Sequence, residues 1–201
     1  MDQQFDPSNV FTAMHHRVTG ELLRLMDGLY SNIEDGLFEL AYRTDERRRK
    51  TYFDLMRELR HRRSQVIQNF ARGMQGSLEA WFVDREEPRS PHEQVARAMA
   101  AKCTAHFGGV LQSLSERTAY ALGRDDNEME LPIGPFRVAC HFVGSLKALN
   151  FDDDAVDIVN DLFSRFVLDR MGSIYGECNQ QLEQAGFFTS RELAMVASAR
   201  A

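Results

Sequence analysis

The fold of this 201-residue chain is decided by residues 11–40, FTAMHHRVTGELLRLMDGLYSNIEDGLFEL. Apolar side chains recur there at every third or fourth position, the spacing that places them along one face of an α-helix. They are Phe11, Met14, Val18, Leu22, Leu25, Leu29, Ile33, Leu37 and Leu40. The pattern runs without interruption through Asp27-Gly28 and Asp35-Gly36, so we interpret neither pair as a turn. The stretch therefore predicts a single long helix.

The same helical period continues through most of the remaining sequence. It predicts helices over 52–81, 95–122, 136–146, 156–182 and about 190–198. No segment shows the sustained alternation of a half-buried strand. We therefore predict an all-α fold over 1–201, a single domain built as an antiparallel bundle of about five long helices plus a short one, without a sheet.

Capping residues mark several of the predicted helix ends. Ser90 with Glu93 and Thr189 with Glu192 have the spacing of capping boxes. Gly134 precedes a proline, which suits the first position of a helix, and Gly123 and Gly186 suit C-terminal caps. On the apolar stripes between these ends we expect six core residues. They are Leu59, Phe70, Phe107, Leu114, Phe163 and Phe166.

Composition limits the class of protein. The formal net charge is −6, and the longest apolar run, Leu193 to Ala197, is five residues against the ~20 of a membrane span. The acidic, polar start MDQQFDPSNV does not resemble a secretory signal. Three widely separated cysteines, Cys103, Cys140 and Cys178, do not form a disulfide framework and suit a reducing compartment. We expect a cytoplasmic protein without a membrane span.

The motifs of common catalytic sites are missing from the sequence. No Gly-Lys-Ser or Gly-Lys-Thr of a phosphate-binding loop occurs, and Ala96 stands where a zinc protease would need its second histidine after His92-Glu93. Residues 152–163 lack the glycine of a calcium loop, and Phe163 takes the place of its last ligand. We therefore predict a protein that is not an enzyme and uses no cofactor.

Histidines and cysteines provide only weak metal candidates. Cys103, His106, Cys140 and His141 contain the residue types of a Cys₂His₂ zinc or redox site. Core packing is the simpler interpretation of the cysteines, because Cys is a common small core residue. The adjacent pair His15-His16 cannot chelate one ion from a regular helix, and we expect it to be solvated.

Positive charge is concentrated between residues 43 and 63. This segment holds nine basic and four acidic residues, a net charge of +5, so the other 180 residues carry −11. Such asymmetry indicates either a solvated face with internal ion pairs or a surface for an anionic partner. We predict that exposed basic side chains form a contact surface for an acidic partner. They are Arg47, Lys50, Arg57, Arg60 and Arg63.

Several short stretches resemble the proteobacterial family called domain of unknown function 1631. They are Leu37-Phe38-Glu39-Leu40-Ala41, residues 51–60 (TYFDLMRELR), Leu114-Ser115-Glu116-Arg117, residues 131–135 (LPIGP), Asp161-Leu162-Phe163 and Gly172-Ser173-Ile174-Tyr175. The resemblance covers most of 15–188. It implies that this chain corresponds to the N-terminal helical region of longer members, many of which end in a domain similar to PilZ, the receptor for cyclic di-GMP.

The resemblance implies a regulatory or protein-interaction module in bacterial signalling, linked to cyclic di-GMP responses. Its partner would be an acidic protein or a domain of its own longer chain, and a homo-oligomer stays open. Nucleotide or nucleic-acid binding through 43–63 is the first alternative, although the net charge of −6 makes nucleic acid a poor partner. A metal-binding or redox helical protein is the second. The PilZ ligand motif is absent, because Arg43 to Arg47 and Arg85 to Arg89 match only its first half.

Overall fold

A hairpin of two long helices begins the fold in the computed structural model, which describes residues 7–82, 93–124, 130–147 and 153–199. Helix α1 spans Pro7–Tyr42 and helix α2 spans Glu46–Phe82. The two run antiparallel, since Phe53 near the start of α2 meets Phe38 near the end of α1, whereas Arg63 reaches back to Asp27. The single long helix predicted over 11–40 is confirmed.

The turn between α1 and α2 is closed by side chains from both of its ends. The Asp45 carboxylate accepts a hydrogen bond from the backbone N–H of Arg48 at 3.0 Å, which caps the start of α2. That hydrogen bond lowers the pKa of Asp45 below its ordinary value. Arg49 donates to the backbone carbonyl of Ala41 at 3.2 Å and so satisfies the end of α1. Both helix ends are thus held at the tip of the hairpin.

The remaining helices are shorter and pack around this hairpin. They are α3 (Glu93–His106), α4 (Gly108–Leu122), α5 (Pro135–Leu146), α6 (Asp153–Phe166), α7 (Gly172–Gln184) and α8 (Ser190–Ala199), with a 3-10 turn at Leu168–Arg170. Helix α5 packs against α2 and α3, α4 packs against α7, and α6 packs against α1. The described residues contain no strand, and the predicted all-α bundle is confirmed.

The helix predicted over 95–122 is broken at Phe107. The Phe107 backbone has φ −102° and ψ 18°, and Gly108 and Gly109 follow it. Its ring packs so closely on the start of α7 that a Cβ added at Gly172 would lie 2.3 Å from a ring carbon. The break allows α3 to pack on α5 while α4 packs on α7. Gly108 and Gly109 weaken the helix next to Phe107, and the Phe107 ring packs on another helix. Together these two features explain why the regular helical period ends there.

The helix predicted behind 152–154 is also divided. Three residues around the division, Val167, Leu168 and Met171, are fully buried. The 3-10 turn Leu168–Arg170 interrupts the helix there and separates α6 from α7. The sequence carried a sign of this break, because the apolar series steps by five residues from Phe166 to Met171.

The predicted caps are observed wherever the structure describes them. Gly123 ends α4 at φ 63° and Gly186 follows α7 at φ 87°, both left-handed conformations that favour glycine. Thr189 and Glu192 form a reciprocal capping box, with N–H to oxygen distances of 2.8 and 3.4 Å. Gly134 precedes α5 with its proline at the start of the helix. Ser90 lies outside the described residues.

One core cluster draws on every helix from α1 to α7. Leu59, Phe70, Leu114 and Phe163 are buried as predicted, and Phe163 stacks on Phe142 with ring centroids 3.7 Å apart. The other two predicted core residues, Phe107 and Phe166, are only partly buried and pack against the cluster from its edge.

Three residues on the predicted apolar stripes are exposed instead, namely Leu40, Val95 and Val110. The helical period predicts Val95 and Met99 on the buried face of α3, whereas the structure buries their neighbours Ala96 and Ala100 together with Cys103. Val110 follows the break at Phe107, so it no longer continues the buried face of α3. Leu40 lies next to the last buried residue of α1, Ala41, where the helix ends.

Candidate functional site

The predicted basic surface lies on the first half of α2. Arg47, Lys50, Arg57 and Arg60 are exposed, as predicted. Arg63 is half-exposed, and its guanidinium lies over the ring of Tyr30 at 5.4 Å from the centroid. The prediction of a largely exposed surface is therefore correct for four of these residues and only partly correct for Arg63, because the helical period turns that position toward α1.

Two of the predicted contact residues are engaged within the hairpin. Arg60 binds the Glu34 carboxylate through two nitrogens, one of them 2.8 Å from its oxygen. Arg63 binds Asp27 at 2.7 Å. The hydrogen bond from Arg60 lowers the pKa of Glu34. These arginines tie α2 to α1, so they are less available to a partner than the sequence suggested.

Three further cations of the segment have carboxylate partners one turn away. Arg43 reaches Glu39 and Arg57 reaches Asp54, each at 3.6 Å, while Arg62 reaches Glu58 at 3.0 Å. Exposed pairs of this kind contribute at most about 1 kcal/mol. Among the described residues, Arg47, Arg48 and Lys50 have no carboxylate within ion-pair distance. Asp45 and Glu46 offset only part of the charge of the four cations that follow them, so the start of α2 is net positive.

An exposed aromatic cluster lies beside these cations at the hairpin tip. It consists of Phe38, Tyr42 and Phe53, whose exposed fractions are 47, 67 and 37%. The Phe38 ring lies 4.7 Å from that of Tyr42 and 6.2 Å from that of Phe53, measured between centroids. Sequence reasoning missed this cluster. Its signal was two aromatic residues four positions apart, Phe38 and Tyr42, each immediately following a residue on the buried face of α1.

The four cysteine and histidine candidates do not form a site. No three His, Cys, Asp or Glu side chains converge on a possible metal position in the ranges that the structure describes. The Cys103 thiol donates to the carbonyl of Leu168 at 3.3 Å, and burial raises its pKa to about 12. His106 is exposed, with its ring 4.6 Å from that of Phe107, whereas His141 lies against Gly73 of α2. These positions favour the core-packing interpretation of Cys103.

The histidine pair on α1 differs from its prediction. His16 is exposed, but His15 is only 1% exposed and faces the core side of α1. Burial lowers the pKa of His15 to about 4, and repulsion from His16 and His141 acts in the same direction. The expectation of a solvated pair was wrong for His15 because its position falls next to Met14 and Val18 on the buried stripe. The ring is therefore neutral near pH 7.

An open cleft of about 440 Å³ lies where α3, α4 and the start of α5 meet. Thr104, Gln112 and Ser115 give it a polar side, and Phe136 contributes an apolar one. At its margin the Arg137 guanidinium pairs with Glu130 at 2.6 Å. Its two charged lining groups compensate each other, so the cleft presents no uncompensated charge to a ligand.

The stretches that resemble the family serve the fold. Arg117 is 5% exposed and donates to the Phe187 carbonyl at 2.7 Å and to Glu192 at 2.6 Å, while its neighbour Glu116 accepts from the backbone N–H of Ser190 at 3.3 Å. The Tyr175 hydroxyl donates to the carbonyl of Ile133 at 3.1 Å, which joins two of the quoted stretches. These contacts fix the positions of the helices that they join.

A family model described as the N-terminal domain of a protein of unknown function (DUF1631) matches residues 6–96 and 92–186. No curated protein and no solved structure matches the chain. Among the described residues, the helices all fall short of the length and apolarity that crossing a bilayer requires.

Proposed function

Because the chain belongs to the DUF1631 family through its N-terminal domain, whose description names no activity, we propose from its surface that it is a regulatory, protein-interaction module without enzymatic activity. Its contact surface is the hairpin tip, where α1 ends and α2 begins. The partner is an acidic protein, or an acidic domain of a longer chain that contains this one. We further propose a single helical domain over 1–201, working in the cytoplasm.

The observation that supports this function is the unpaired charge at the start of α2. Arg47, Arg48 and Lys50 lie in the first two turns of a 37-residue helix. The first turn of a helix carries partial positive charge, so Arg47 and Arg48 each cost roughly 0.3–1 kcal/mol of stability there. Cations at a helix N-terminus break a local rule, and such breaks are typical of functional surfaces. Asp45 and Glu46 soften this cost but leave the segment net positive.

A link to cyclic di-GMP signalling is part of the same proposal. It rests on the resemblance to longer family members that end in a PilZ-like domain. Helical interaction modules of this kind would transmit the ligand-bound state of another domain to a partner. Titration of the purified chain with cyclic di-GMP distinguishes binding of the ligand by this region from transmission of a signal that another domain receives. We expect no binding by this region itself, because it lacks the complete PilZ ligand motif.

The experiment that tests the proposal maps contacts at the hairpin tip in native cells. A photo-cross-linking amino acid replaces Lys50, and in the matched control it replaces Gln68, which is also exposed on α2 but lies about 27 Å further along the helix. We expect a protein to be cross-linked from position 50 and not from position 68. The double substitution Arg47→Glu/Lys50→Glu should then weaken binding of that purified protein about tenfold, most strongly at low salt.

Two results would contradict the proposed function. One is the absence of any protein that cross-links preferentially at position 50. The other is a gel shift with DNA or RNA at low salt that the same double substitution abolishes, which would assign the surface to nucleic acid instead. Arg24→Glu/Arg72→Glu, at exposed positions on α1 and α2, makes the same change of net charge and is the control.

A further inference from the structure

The aromatic cluster of Phe38, Tyr42 and Phe53 is flanked by positive charge. On α2, Lys50 lies three positions before Phe53 and Arg57 lies four positions after it, so the three side chains share one face. Lys50 has no carboxylate partner among the described residues, and Arg57 meets Asp54 only at 3.6 Å, with both groups exposed. Apolar surface bordered by available cations is complementary to a segment that combines an apolar side chain with carboxylates.

We propose that this cluster is the docking site for an acidic segment of a partner protein that places a large aliphatic or aromatic side chain against Phe38, Tyr42 and Phe53. Its carboxylates lie on Lys50 and Arg57. The inference rests on the proposed function and adds the chemistry of the partner. Exposed apolar groups that cluster, rather than lie singly, mark interaction sites, and aromatic and arginine side chains dominate the energetics of such sites.

The charges around the cluster favour a protein segment over nucleic acid. Glu39, Glu46 and Asp54 are interspersed with the cations and would repel a regularly spaced phosphate backbone. A protein segment can place its few carboxylates opposite Lys50 and Arg57 alone. A two-fold contact between two copies is disfavoured for a related reason, because it would bring each positive tip against its own equivalent.

The test is a selection of peptides from an unbiased display library on the whole chain. We expect the enriched peptides to carry net negative charge together with at least one Phe, Trp, Leu, Ile or Met. Their dissociation constants should rise at least about tenfold for Phe38→Ser/Phe53→Ser, and also for Tyr42→Ser, the most exposed of the three positions. The control Tyr120→Ser/Met195→Ser removes two equally exposed side chains elsewhere and should leave binding unchanged.

Each alternative occupant has its own outcome. Three outcomes of the selection would overturn the docking site. The enriched peptides could bind the Phe38→Ser/Phe53→Ser variant equally well, they could be acidic without an apolar residue, or no peptide could be enriched at all. Binding of a twenty-residue oligothymidylate that the variant loses would also overturn it, as would a dimer of the chain alone that dissociates in the variant on sedimentation. A partner cross-linked at position 50 that still binds the variant fully would remove this inference and leave the proposed function standing.

Discussion

Lowering the pH from 7 to 5 should destabilise the folded chain through His15. The ring is 1% exposed, and burial and repulsion from His16 and His141 act against the backbone of Met74, which acts to raise its pKa. Burial therefore disfavours the protonated form and lowers the pKa from 6.5 to about 4. Between these two values the unfolded chain binds a proton that the folded chain does not, so stability is complete above the unfolded pKa and falls as the pH decreases.

The size of the effect follows from the separation of the two pKa values. Each unit corresponds to 1.36 kcal/mol, so the full loss below pH 4 is roughly 3 kcal/mol, of which about 2 kcal/mol is reached at pH 5. The window between pH 7 and 5 suits the measurement, because acidic groups with lowered pKa values, such as Glu34 and Glu192, lose their stabilising charge only at lower pH.

The assay is urea unfolding of three proteins at pH 7 and at pH 5. For His15→Leu we expect the loss between the two pH values to shrink by about 2 kcal/mol relative to the unsubstituted chain. His16→Gln, at the exposed neighbour, should keep the full loss. The reasoning is refuted if His15→Leu loses as much stability as the unsubstituted chain, or if NMR of the folded chain shows the His15 ring titrating near 6.5.

Two further predictions concern packing and buried charge. Gly172→Ala should lower the free energy of unfolding by about 1–3 kcal/mol, because the new Cβ would meet the Phe107 ring at 2.3 Å. In the control Gly176→Ala, on the same helix, the new Cβ meets nothing within 4 Å, and the free energy of unfolding should rise by up to about 1 kcal/mol. Thermal melts of both variants check this, and equal shifts of the melting temperature would contradict it. Arg117→Met should lower the free energy of unfolding, measured in urea, by about 3 kcal/mol, since it removes the hydrogen bonds to Phe187 and Glu192. The control Arg24→Met breaks only an exposed ion pair and should change the free energy of unfolding by less than about 1 kcal/mol. Similar losses in these two variants would show that Arg117 does not hold α8.

Local sequence was sufficient for the features that depend on nearest neighbours along the chain. The three-and-four spacing of apolar residues predicted α1, α2, α5 and α8, because helix formation is set by residues within a turn or two of each other. Gly123, Gly186 and the Thr189–Glu192 box likewise act over at most a few residues. The same spacing identified most of the core, and the net charge of 43–63 is a property of composition alone.

Tertiary structure decided the features that require knowing which helices become neighbours. At the break, the Phe107 ring packs against Gly172, a residue 65 positions further along, which the local sequence does not show. Arg60 and Arg63 looked free in sequence, yet antiparallel pairing brings Glu34 and Asp27 to them and leaves the uncompensated charge at the hairpin tip. The aromatic cluster arises in the same way, since Phe38 and Phe53 meet only when α2 folds back on α1. The helical period determines which residues share a face of a helix. Which other helix packs on that face depends on contacts between segments that are distant in sequence.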